Sequence, residues 1–381
     1  MSNLKLYQLV CCFSFMELIK FLKENGLQAL QDKYKVKATF SQNYPELVCL
    51  VYDQLETPKN AITNDCRGIV LNANTFDIIA YPFTRFNDYN PKQPTEFDKN
   101  NFRCFEKIDG SLISMYYYKG KWNISTKSQP DASGFIRGVE KTYSEYFFDV
   151  FKKKRMSEPK FTNRTYIFEF KFPSDTQFIT TTTIPEITLI GCRDLETLKE
   201  ISIDQVQEEQ GDWFTPEEYF FDSFDEVLDY VKTLDPSYSE GVVVCDENFN
   251  RLKIKSPAYD LIALLRRPTG NFAKDVEIER NNLNRLIKIS QNCEYDRFLD
   301  KFEELKPIWK KIMSAKKKLT NEIFKLKERL NELQPNQFGL ATKDNKDYAK
   351  IAFQLKQADS TEKYLENCPD KTYLELLKKH L

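Results

Sequence analysis

Apolar positions recur along this chain in two different periods, and the change falls near residue 257. Up to that point short alternating runs dominate, the spacing of half-buried strands. They predict strands over 34–40, 47–52, 68–71, 78–81, 102–105, 112–118, 122–126, 166–172, 187–192, 241–245 and 252–255. The 166–172 run alternates without a break: Tyr166, Phe168, Phe170 and Phe172 on one face, Glu169 and Lys171 on the other. Lys119-Gly120-Lys121 reads as a hairpin turn between two of these strands. Three helices interrupt the pattern. Ser14-Phe15-Met16-Glu17 forms a capping box with Phe13 and Leu18 as its staple, predicting a helix that stops at Gly26. A second period-3.6 stretch covers 139–151, and Ser223-Phe224-Asp225-Glu226 caps a third. Beyond Pro257 only helical periods remain, at 259–265, 276–289, 295–305 and 308–333, followed by two shorter ones.

The expected architecture is therefore α+β: an antiparallel-sheet domain over 1–258 followed by an all-helical domain over 259–381. A chain of 381 residues, 41% hydrophobic and 14% aromatic, can bury cores for two such domains. No apolar stretch reaches the roughly 20 residues of a membrane span. Met1 to Cys12 lack the basic start and small-residue cleavage site of a signal peptide. Nine cysteines, none in a C-x-x-C pair, suit free thiols in a reducing compartment. A cytoplasmic monomer without membrane contact is expected.

Histidine is nearly absent, and that narrows the chemistry. The one histidine, His380, is next to last, which excludes a Ser-His-Asp triad or a histidine-rich metal site. Charge is divided unevenly. Residues 260–381 hold 25 Lys and Arg against 19 Asp and Glu, a balance of +6, while 1–259 hold 31 against 38, a balance of −7. A basic helical third fits a polyanionic partner, and Lys310, Lys311, Lys316, Lys317 and Lys318 concentrate it on the longest helix.

Polar residues gather at predicted strand ends: Arg67, Arg85, Lys107, Glu169, Glu240, Lys253 and Lys255. Lys107-Ile108-Asp109-Gly110-Ser111 places a lysine where a strand meets a glycine turn, and Gly110 would let a ligand approach the backbone closely. In Arg251-Leu252-Lys253-Ile254-Lys255 the three cations share one face. Such cations can be solvent-facing charges on an edge strand. They can also converge on phosphates, where they would favour the neutral, nucleophilic form of a neighbouring lysine. Glu169 and Glu240 would then hold a metal or sugar hydroxyls.

Order and spacing over residues 50–260 resemble the covalent nucleotidyltransferases, most closely the RNA ligase 1 type of T-even phages. Lys107-Ile108-Asp109-Gly110-Ser111 is similar to motif I, Phe168-Glu169-Phe170 to motif III, Glu240-Gly241-Val242-Val243-Val244 to motif IV, and Leu252-Lys253-Ile254-Lys255-Ser256 to motif V. The resemblance implies Lys107 as the adenylated nucleophile, with Glu169, Glu240, Lys253, Lys255, Tyr259 and Lys127 as further catalytic groups. It implies Arg67, in Cys66-Arg67-Gly68, as an adenylate contact; Arg85 stands where the family usually has lysine, and Tyr52 would neighbour adenine. Implied cofactors are ATP and Mg²⁺ (or Mn²⁺), with no metal ligands assigned. The implied reaction joins 5′-phosphate and 3′-hydroxyl RNA ends through lysyl-AMP and adenylylated RNA, as in repair of RNA or broken tRNA, in the host cytoplasm if the source is viral. Two alternatives stay open: the ligase module of fungal-type tRNA splicing, and a catalytically silent RNA-binding relative. The β-rich OB-fold of DNA ligases is not expected beyond residue 265.

Overall fold

The computed structural model describes residues 4–53, 56–91, 96–136, 138–173, 179–180, 182–211, 213–265, 306–338 and 346–381, the side chains of the first helix from Glu17 onward. The chain packs as two compact units, Met1–Ser256 and Pro257–Leu381.

The first unit is built on three sheets. Strands β1 (Val36–Phe40), β2 (Leu47–Tyr52), β3 (Arg67–Asn72) and β4 (Ile78–Ala80) form a four-stranded antiparallel meander. Helix α1 (Leu4–Tyr34) packs Leu18, Leu22 and Leu30 on Ile69, Leu71 and Tyr81. The remaining strands are β5 (Asn87–Asp88), β6 (Phe102–Glu106), β7 (Ser111–Tyr118), β8 (Lys121–Thr126), β9 (Arg164–Lys171), β10 (Glu186–Asp194), β11 (Glu200–Ile201), β12 (Glu218–Tyr219), β13 (Gly241–Asp246) and β14 (Arg251–Lys255). They make two five-stranded sheets, ordered β11-β10-β9-β7-β8 and β12-β6-β13-β14-β5. Among the described residues every pairing is antiparallel except β14 with β5.

Lys107 lies in the crossing from one of these sheets to the other, between β6 and β7. The alternation predicted over 166–172 holds: Phe168, Phe170 and Phe172 are fully buried in a cluster with Phe147 and Trp213, and Glu169 points the other way. Burial of this kind stabilises by roughly 25 cal/mol per Å² of apolar surface. β14 alternates as expected too, with Leu252 and Ile254 buried and the three cations partly open.

Local signals were overridden in several places. α1 does not begin at Ser14 but runs through it from Leu4, so the box there has no free N–H groups to cap. Gly26 does interrupt the helix, at φ 82°, after which a second segment continues to Tyr34. The 139–151 helix starts later, at Tyr143, because Thr142 and Glu145 form a complete capping box. This helix is α2 (Tyr143–Lys153). α3 (Ile203–Gln210) and the two-residue strands β5, β11 and β12 carry too little periodicity to be foreseen. α4 (Phe224–Thr233) starts after Ser223, as its cap requires.

The second unit is helical throughout its described residues: α5 (Pro257–Leu265), α6 (Lys306–Asn331), α7 (Lys346–Gln357), α8 (Thr361–Asn367) and α9 (Asp370–Leu377), with short 3₁₀ turns. The helices expected over 276–289 and 295–305 lie outside the described residues. On α6, Trp309, Ile312, Ala315, Leu319, Ile323, Leu326 and Leu330 form a buried stripe. Lys310, Lys311, Lys317 and Lys318 are exposed and Lys316 is partly buried.

Candidate active site

The backbone N–H of Lys107 donates to the carbonyl of Gly241 at 2.9 Å, fastening the lysine turn to the start of β13. Glu240 is the preceding residue, and it is 4% exposed. Its carboxylate takes the Lys107 ammonium on Oε2 at 2.6 Å and the Lys255 ammonium on Oε1 at 2.9 Å. β13 and β14 set this spacing through the cross-strand pair of Gly241 and Lys255. Gly241 sits at φ 146°, and a Cβ there would fall 2.2 Å from the Ile254 carbonyl, so only glycine permits the crossing. Burial would raise the Glu240 pKa, but the two ammonium groups outweigh it and hold the carboxyl below its ordinary value.

A cavity of about 290 Å³ opens between the two five-stranded sheets. Lys107, Arg67, Glu169, Phe86 and Lys253 line one end; Ile190, Ile201, Pro216 and Val243 give it an apolar wall. Glu169 lines this space, partly buried, and burial pushes its pKa up to about 7 against the pull of Lys107, with Glu240 adding repulsion. Lys253 moves the opposite way, to about 8, through burial first and then the repulsion of Arg67, Lys107 and Lys255, with Asp88 3.7 Å away opposing. The ring of Phe86 lies 4.8 Å from the Arg67 guanidinium and 5.1 Å from the Lys253 ammonium. Among the described residues, Nη1 of Arg67 is buried without a hydrogen-bond partner, a donor suited to an incoming anion.

A second group of cations adjoins the first. Arg85 stands 4.0 Å and Lys127 4.9 Å from the ring of Tyr52. The Lys127 pKa is lowered by burial and by the nearby charges of Arg67 and Arg85. Nine of the ten residues singled out from the sequence therefore lie in this unit as one connected set. Tyr259 belongs to the second unit, where it is buried on α5.

Two expectations need correction. A Cβ on Gly110 would lie 2.9 Å from both Glu169 Cγ and the Phe170 carbonyl. The missing side chain thus makes room for β9, which carries Glu169, rather than for a ligand. The Lys107 amine is also not ringed only by cations; its direct partner is a carboxylate. Asp109, in the same pentapeptide, is buried and accepts from the backbone N–H groups of Ile179 and Thr180 at 2.8 and 3.1 Å, so it fastens a loop.

Sequence reasoning passed over Glu106, Phe86 and the Arg251–Glu200–Arg193 network. Glu106 lines the cavity one residue before the lysine, with its pKa raised by burial. Glu200 on β11 bridges Arg251 at 2.7 Å and Arg193 at 2.9 Å, tying one sheet to the other beside the cavity. Position beside Lys107 and Arg85 was the only available signal for the first two.

An amine lining an inter-sheet cavity, with a carboxylate beside it and cations nearby, is an arrangement suited to nucleotidyl transfer. Residues 65–259 match the RNA ligase family model, and the chain belongs to that family. Among viral relatives, it is 27% identical over 334 residues to a putative bifunctional polynucleotide kinase/RNA ligase of Autographa californica nuclear polyhedrosis virus, covering 80% of this chain and 44% of the relative. It is 26% identical over 105 residues to a putative RNA ligase of African swine fever virus, covering 26% of this chain and 23% of that one. The chain thus spans less than half the length of either relative. Among solved structures, an archaeal ATP-dependent RNA ligase is 13% identical with a TM-score of 0.42, covering 69% of this chain and 75% of that one.

Proposed function

We propose that this protein is an ATP-dependent RNA ligase and that Lys107 is its adenylated nucleophile. The observation that carries the reading is the Lys107–Glu240–Lys255 bridge beside a cavity walled by Arg67, Lys253 and Glu169. Lys107 Nζ attacks the α-phosphorus of ATP, a P–N bond forms, and the bond to pyrophosphate breaks. Glu240, already hydrogen-bonded to the amine, takes its proton. Lys255 and Lys253 neutralise charge building on the phosphoryl oxygens. AMP then passes to the 5′-phosphate of an RNA, and a 3′-hydroxyl displaces it to seal the strand.

Arg67, Arg85 and Lys127 stand where they can hold further phosphates, and Tyr52 presents the ring they gather around. A divalent ion, Mg²⁺ or Mn²⁺, fits the same end of the cavity. Glu169 makes no ion pair among the described residues, and a bound cation would relieve the cost of ionising it. When bound, the ion would screen charge between phosphates and carboxylates, keeping most of its water. Glu169 would hold it, with substrate phosphates supplying the other ligands.

On this reading Tyr259, which follows β14 in the chain, is a further catalytic group. The exposed α6 lysines contact RNA phosphates, tRNA being one candidate, and the protein works as a monomer in the cytoplasm of a host cell. Incubation with α-labelled ATP followed by denaturing electrophoresis tests the central claim. The parent chain should carry label and Lys107→Ala none; label on that variant would remove Lys107 from the role.

A further inference from the structure

Beside the cavity, the two five-stranded sheets are joined by a carboxylate held between two guanidinium groups. Glu200 lies on β11, the edge strand of the sheet that carries Glu169, and Arg193 faces it across the β10–β11 pair. Arg251 belongs to the other sheet, on β14, two positions before Lys253 and on the same face. The Glu200 carboxylate stands 2.9 Å from Arg193 on one oxygen and 2.7 Å from Arg251 on the other. Side-chain exposure is 10% for Glu200, 6% for Arg193 and 11% for Arg251. Arg251 is among the residues lining the cavity, and Glu200 is not.

A row of rings carries this link on to the site cations. The Arg251 guanidinium lies 4.4 Å from the ring of Phe83, whose place is open because Gly191 has no Cβ to overlap it. Phe83 meets Phe86 edge to face, with ring centroids 6.0 Å apart. Phe86 in turn stands 4.8 Å from Arg67 and 5.1 Å from Lys253. Glu200 thus reaches Lys253 by two routes, along β14 and through the two phenylalanines.

We propose, on the ligase reading of this cavity, that Glu200 is a positioning residue for nucleotidyl transfer. Through Arg251 it fixes the separation of the sheets, and so where Lys253 and Arg67 stand relative to Lys107. Stability alone is a poor reason for such a group. Dehydrating three charges offsets most of their attraction, and apolar residues of equal volume often hold as well. Direction is the better reason. A guanidinium meets a carboxylate only within a narrow range of positions, whereas apolar side chains let two sheets slide. Attack on phosphorus is sensitive to shifts of about 1 Å in the groups around it.

Single-turnover transfer of α-labelled ATP to the full chain tests this. The maximal rate and the half-saturating ATP concentration are read separately, with a thermal melt beside each variant. Glu200→Gln should lower the maximal rate by about ten- to a hundredfold and move half-saturation by less than about threefold. Glu200→Asp keeps the charge but falls one methylene short of bridging both arginines. Its rate should fall in the same direction, with a melt closer to the parent's. Glu209→Gln is the control for lost stability: it strips another buried arginine, Arg164, of its carboxylate, in a pair that includes no cavity-lining residue. That variant should melt lower and label at the parent's rate. Parental maximal rates in Glu200→Gln and Glu200→Asp would overturn the proposal, as would an equal loss in Glu209→Gln. A parent that takes no label would overturn the ligase reading and this proposal with it, so the parent chain tells the two failures apart.

Discussion

The Glu240 carboxylate sits between two ammonium groups, 2.6 Å from Lys107 on one oxygen and 2.9 Å from Lys255 on the other. It is 4% exposed, so its charge is compensated by the two lysines and little by water. Glu240→Gln keeps the shape and removes the charge, leaving two cations facing each other across a neutral amide. Breaking a buried pair from one side costs about 3–5 kcal/mol when both groups are dry. These lysines keep 18% and 26% of their side-chain surface, so about 1–3 kcal/mol is expected. Lysyl adenylation should fall at least about a hundredfold, since the amine loses both its proton acceptor and its aim. Single-turnover labelling with α-labelled ATP, beside urea melts, measures both.

Lys255→Ala should separate chemistry from folding. The variant keeps the Lys107–Glu240 pair and removes a partly exposed cation from a buried carboxylate that retains one partner, so stability should fall by about 1–2 kcal/mol. If Lys255 neutralises phosphoryl charge, AMP transfer to Lys107 should drop by about two orders of magnitude or more. A large loss of melting temperature with adenylation nearly kept would assign the residue to structure instead.

Gly110→Ala should disturb Glu169 through the backbone. The added methyl would stand 2.9 Å from both Glu169 Cγ and the Phe170 carbonyl, and the latter belongs to the β7–β9 ladder and cannot swing aside. Overpacking of this kind typically costs about 1–3 kcal/mol. Nucleotide affinity should fall with it. Isothermal titration with ATP and thermal melts check the pair; an unchanged Kd would mean the cavity tolerates a shifted β9.

Much of this was legible because a strand of period two fixes which face each residue takes. Once Phe168 and Phe170 were assigned inward, Glu169 had to point the other way, and the same rule placed Lys253 and Lys255 together. The motif order then brought Lys107, Glu240 and Lys255 into one expectation. What no local pattern carried was which charges would touch. Lys107 and Glu240 are 133 positions apart, and nothing in either neighbourhood says that carboxylate, rather than a cation, meets the amine. Gly110 shows the same limit: a glycine announces a close approach but not what approaches. At Ser14 the local signal was present and misleading, because capping residues act only where a helix begins, and the helical run starts ten residues earlier, at Leu4.

Glu169 sets a pH dependence whose sign follows from its surroundings. Its folded pKa, about 7, stands above the ordinary 4.5, so the native state holds this proton more tightly than the unfolded chain does. The resulting stability is fully present below about pH 4.5 and is lost as pH rises through 7. Glu169→Gln cannot ionise and escapes that loss. The variant should therefore melt higher than the parent above pH 7, by an amount on the order of 1–3 kcal/mol, and the gap should close as pH approaches 4.5. Comparing the two melts in the absence of nucleotide, across pH 4.5 to 8, isolates the effect, since other carboxyls titrate alike in both chains. Added Mg²⁺ with ATP should narrow the gap at high pH by stabilising the parent's carboxylate alone. A variant no more stable than the parent at pH 8 would mean that Glu169 is ionised at little cost, and that the cavity wall already compensates its charge.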